Sequence, residues 1–73
     1  MKTAAEWEAE VKGLLKAELR RRNVTYRQLV DKLAEIGVRE SEPNLRNKLA
    51  RGKFTAVFLI QCLTSIGASE LRL

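Results

Sequence analysis

Asn44, Arg46, Asn47 and Lys48, followed closely by Arg51 and Lys53, crowd amide and cationic side chains into one short stretch. No acid occurs between Pro43 and Ser69. An asparagine amide donates and accepts in one plane, which matches the major-groove edge of adenine, and the arginine fork matches guanine. Cations beside such residues suit phosphates, which hold a protein in register without reading sequence. The chemistry open to this stretch is recognition of a polyanion with hydrogen-bonding edges.

Bond-making chemistry is not indicated. The chain has no histidine, which removes the commonest general base and the commonest metal ligand. Cys62 is the only cysteine, so neither an internal disulfide nor a cysteine-based zinc site can form. There is no nucleophile–base pairing and no glycine-rich phosphate loop. The expectation is a non-enzyme without cofactor or metal, with Cys62 an inert core thiol in an apolar helix.

To meet a duplex, the polar stretch must form the outward face of a helix braced by others. The spacing predicts one single-domain, all-α bundle of four or five short helices over residues 1–73. A first helix is expected from about Ala4 to Arg22. Thr3 and Glu6 have capping-box spacing, and Trp7, Val11, Leu14, Leu15 and Leu19 form an apolar stripe. A second, over about 25–36, starts on Thr25 with Gln28 reciprocating, buries Leu29, Val30, Leu33 and Ile36, and stops at Gly37. The third, over about 42–51, is capped by Ser41, takes Pro43 in its first turn and points Leu45 and Leu49 inward. A fourth runs from Thr55 to about Ile66, is apolar on most sides, and is expected in the core or at a subunit interface. The tail from Ala68 to Leu73 could be a short strand, a frayed end or another helical turn.

Charge is unevenly distributed in this 73-residue chain of formal net charge +5. Glu6, Glu8 and Glu10 make the start acidic, whereas Arg46 to Lys53 is purely basic. The excess favours a polyanionic partner. Arg20, Arg21 and Arg22 suit either the negative end of the first helix dipole or phosphate contact. No apolar stretch reaches the roughly 18 residues of a membrane span, and no signal-peptide core opens the chain, so a cytoplasmic location is expected. A chain of this size gains stability from association, and a homodimer is the expected state.

The residues also carry a resemblance. Val24-Thr25-Tyr26-Arg27-Gln28-Leu29, then Leu33, Gly37-Val38 and Leu49-Ala50-Arg51-Gly52-Lys53, resemble the phage-repressor or Cro-type (lambda-repressor-like) helix-turn-helix, and Leu63 to Gly67 resembles the end of its fourth helix. The whole chain is similar as well to a family of small uncharacterised bacterial proteins, in which the Glu42–Lys48 and Arg51–Leu63 stretches are typical. The repressor resemblance implies a DNA-binding transcriptional regulator whose 42–51 helix enters the major groove. Asn44, Arg46, Asn47 and Lys48 would then read bases, while Tyr26, Arg27, Gln28, Arg51 and Lys53 would contact phosphates. The turn around Gly37 to Ser41 is a residue or more longer than usual in that family, and Glu40 and Glu42 stand at the front of the third helix. These features motivate an alternative, a protein-interaction module that has kept the fold and lost DNA binding.

Overall fold

Four helices and no strand make up the computed structural model, which describes residues 1–73: α1 (Ala4–Arg21), α2 (Tyr26–Glu35), α3 (Glu42–Arg51) and α4 (Ala56–Ser65). Each helix starts on a hydroxyl that accepts an otherwise free backbone N–H. Thr3 Oγ1 accepts from Glu6 at 3.2 Å, Thr25 Oγ1 from Gln28 at 3.1 Å, Ser41 Oγ from Asn44 at 3.2 Å and Thr55 Oγ1 from Phe58 at 3.0 Å. Glu6 and Gln28 return the bond to the Thr3 and Thr25 N–H groups, completing two capping boxes. At the far ends, Asn23, Gly37 and Gly67 take left-handed backbone. The N–H groups of Val24, Val38 and Ala68 then donate to the carbonyls of Leu19, Leu33 and Leu63, each at 2.9 Å.

The helices pack around one core. α2 lies against α3 and α4, and α1 covers α3 and α4 from the other side. Leucine pairs one turn apart supply the core: Leu15 and Leu19 from α1, Leu29 and Leu33 from α2, and Leu45 and Leu49 from α3. Phe58, Cys62 and Leu63 of α4 close it. Phe54 packs edge-on against Phe58 with ring centroids 5.5 Å apart, which holds the α3–α4 loop down.

Several expectations change. There are four helices and not five, because the tail from Ala68 onward forms neither strand nor helix, although Ala68 and Leu71 pack on the core. α1 ends at Arg21, with Arg22 as its cap, and Ile36 and Ile66 cap α2 and α4 where they were expected inside them. Ile36 is exposed, whereas Ile66, with nearly the same backbone, packs against the core. Trp7 lies on the predicted stripe but is 53% exposed, with the Lys2 ammonium 4.6 Å above its ring. The end of α3 packs against the α1 backbone at Glu8, and Trp7 stands on a face that this contact leaves open.

Glu18 faces the core side of α1 and is buried, with its carboxylate held by Arg21 and Arg22. Burial pushes its carboxyl up, but hydrogen bonds from Arg22 and Arg21, with their charges, outweigh burial and hold it below the ordinary value of 4.5. Glu6 is likewise lowered, by the Thr3 N–H it accepts in the capping box. A carboxyl depressed on folding stabilises the fold fully above its unfolded value and loses that contribution as pH falls through the folded one. The thermal midpoint should therefore hold steady from neutrality down to about pH 5 and fall below 4.5. Glu18→Gln should lower the neutral plateau and flatten this acid limb. A limb of unchanged steepness in that variant would assign the acid sensitivity elsewhere.

Candidate nucleic-acid interface

α3 owes its orientation to Leu45 and Leu49, which are completely buried. At 3.6 residues per turn this aims Asn47 away from the core, flanked by Asn44 and Arg51, and all three are exposed. Gly52 then takes left-handed backbone (φ 67°) and turns the chain back, so that Lys53 rejoins this face. Asn44, Asn47, Lys48, Arg51 and Lys53 line one open depression that holds no apolar or acidic side chain.

The cations of this region are not equivalent. Arg46 sits on the flank toward α2, ion-paired with Glu42 one turn back and placed 5.4 Å over the Tyr26 ring. It lines a second depression with Glu42, Pro43 and Asn47. Lys48 is half-exposed on the opposite flank, where its ammonium pairs with the largely buried Glu40 carboxylate and stands 4.5 Å over the Phe58 ring. The Lys53 ammonium is 4.0 Å from Glu8. Arg51 takes part in no ion pair and is the free cation of the face.

The predicted α2 group divides. Tyr26 joins the α3 face through Arg46, and Arg27 is exposed. The Gln28 carboxamide oxygen is spent on the Thr25 cap, and the residue lines a separate depression with Arg22, Asn23 and Asp31. One positioning residue was not anticipated. Lys12 donates from its ammonium to the Ala50 carbonyl at 3.1 Å, satisfying a free acceptor near the end of α3 from across the bundle. A lone lysine on α1 carries no sequence signal for such a contact.

Burial pushes the Cys62 thiol up to about 12; Glu40 adds to the rise and Lys48 opposes it. The sulfur is thus a protonated core group near neutrality. No cluster of three or more His, Cys, Asp or Glu side chains could hold a metal ion, and no helix is long and apolar enough to cross a membrane.

Residues 7–71, from Trp7 through all the later helices to Leu71, match a family model described as a domain of unknown function (DUF6471). No curated protein and no solved structure matches the chain.

Proposed function

The chain belongs to the DUF6471 family, a membership that carries no activity with it, and from the geometry of α3 we propose that it binds double-stranded DNA sequence-specifically as a transcriptional regulator. In this reading α2 and α3 act as a helix-turn-helix, with α3 in a major groove about 12 Å wide. The observation that carries it is the depression lined by Asn44, Asn47, Lys48, Arg51 and Lys53 and free of acids. Asn44 and Asn47 are the base readers, and Arg51 and Lys53 grip phosphates where the helix ends. Tyr26 and Arg27 hold the backbone at the start of α2. Arg46 and Lys48 reach the duplex only by exchanging Glu42 and Glu40 for phosphate or base.

Val57 and Ile60 are 66% and 60% exposed on α4, a helix without a charged residue. That face suits a second copy of the chain, in a dimer whose α3 helices would lie about 34 Å apart on paired half-sites. The same face, together with exposed Trp7 and the glutamates that engage Arg46 and Lys48, favours a second reading in which the domain binds protein instead.

Retention of a random-sequence duplex pool at low and moderate salt, followed by sequencing, separates the two. Enrichment of a two-fold-symmetric motif is the expected result. No retention at low salt would overturn DNA binding. With the selected duplex, Arg51→Ala should weaken binding alike for matched and mismatched sites and reduce the slope of log affinity on log salt by about 0.9. Loss confined to the matched site would make Arg51 a base reader.

A further inference from the structure

α1 has a cationic patch of its own, away from the outward face of α3. Lys16 and Arg20 stand one helical turn apart and line a groove with Thr25 and Tyr26 at the start of α2. Leu19 and Val24 form its apolar floor, and no acid lines it. The ion pairs of the molecule engage Lys2, Arg21, Arg22, Arg46, Lys48 and Lys53, and neither Lys16 nor Arg20 is among them. The sorting follows from Glu18. It lies between the two in sequence, yet it turns to the core side and spends its carboxylate on Arg21 and Arg22. The end of α1 therefore carries two arginines that share one carboxylate and, apart from them, two cations with no acidic partner.

We infer that this groove is a second backbone grip, in which Lys16 and Arg20 hold a DNA phosphodiester beside the one approached by α3. The inference rests on the DNA-binding reading above. Tyr26 provides the continuity, since its ring lines the groove and also carries the Arg46 guanidinium at 5.4 Å. A strand passing the α2 flank of α3 meets one carboxylate, Glu42, which is paired with Arg46, and then runs on into a groove that holds no acidic side chain. Side chains four apart on a helix are neighbours, about 5–6 Å between Cβ atoms, close enough for both to converge on one phosphate. The apolar floor of Leu19 and Val24 suits the sugar that follows it. An arginine that only complemented the α1 dipole would need no such groove and no lysine partner a turn earlier.

The test uses the full chain with Lys16→Gln and Arg20→Gln combined, bound to the selected duplex and to a random duplex over a series of salt concentrations. Each lost phosphate contact should make the log–log salt slope shallower by about 0.9, and low-salt affinity should fall about tenfold or more, equally for both duplexes. Lys32→Gln is the control, a cation removed from the opposite side of α2, where it lines a depression with Asp31 and Glu35. It should leave the slope unchanged. Equal slope changes in the control and the double variant would reduce the effect to net charge and overturn the grip. An unchanged slope with a lowered thermal midpoint would return Arg20 to a dipole role and also overturn it. If the unsubstituted chain retains no duplex, the DNA reading fails and the grip fails with it; if it binds and the double variant matches it, only the grip fails.

Discussion

Gly52→Ala is expected to lower the thermal midpoint by about 12–25 °C, a destabilisation of about 3 kcal/mol. Two costs add at this residue. Its φ of 67° lies in the left-handed region, where an alanine costs about 1–2 kcal/mol. A Cβ there would also stand 2.5 Å from the Glu8 carbonyl oxygen and 3.1 Å from its carbon. Both are backbone atoms in the second turn of α1, so relief requires a helix to move. That movement strains the Lys12–Ala50 bond and the fit of Leu45 and Leu49, and overpacking of this kind costs about 1–3 kcal/mol. A domain of 73 residues has about 4–11 kcal/mol in total, so the variant sits near the edge of folding. Gly37→Ala is the matched comparison. Gly37 has φ 82° but nothing within 4 Å of a built Cβ, so it should show the backbone cost alone, about 4–16 °C. Equal shifts in calorimetry or circular dichroism would mean that α1 yields freely at Glu8.

Asn47→Glu is expected to cut affinity for the selected duplex by about a hundredfold or more while moving the thermal midpoint by no more than a degree or two. Asn47 is exposed at the centre of the α3 face, opposite the buried Leu45 and Leu49, so its replacement disturbs no packing. An asparagine–adenine pair is worth about 1–3 kcal/mol, and loss of that pair alone is about 5- to 150-fold. The added carboxylate then faces the duplex where phosphates and base acceptors are densest, a like-charge contact costing several kcal/mol in itself. Asn47→Ala should show the first part only, and the difference between the variants measures how deep the residue sits in the groove. Undiminished binding by a folded Asn47→Glu chain would remove α3 from the interface.

The helix starts were legible because each is written locally, in Thr3 with Glu6, Thr25 with Gln28, Ser41 and Thr55. The inward positions of α2 and α3 were legible from leucines at helical spacing. What periodicity cannot convey is how far a neighbouring helix reaches. Trp7 continues a valid stripe yet stays half exposed beneath the Lys2 ammonium, and Val57 and Ile60 belong to a helix more apolar than its buried face requires. At the candidate interface, residue types and the outward face were readable, but the state of the cations was not. Glu42 and Arg46 are a recognisable pair at i, i+4. Glu40 and Lys48 are eight apart, and they meet only because the chain folds back from loop to helix. Glu18 carries no sequence signal for its role, yet it is the buried carboxylate that engages Arg21 and Arg22 and leaves Arg20 unpaired.

The fastening of α3 to α1 has a bearing on how the molecule opens. Lys12 holds the carbonyl of Ala50, and the α1 backbone at Glu8 closes over Gly52, so the end of α3 is moored to the early part of the chain. A fluctuation that frees the last turn of α3 must release the first half of α1 as well. Amide protons in these two segments should exchange with solvent as one cooperative block, more slowly than their exposure suggests. Proteolytic trimming through residue 12 would then loosen a helix some thirty residues further on, though of the excised side chains only Glu8 approaches its outward face, at Lys53.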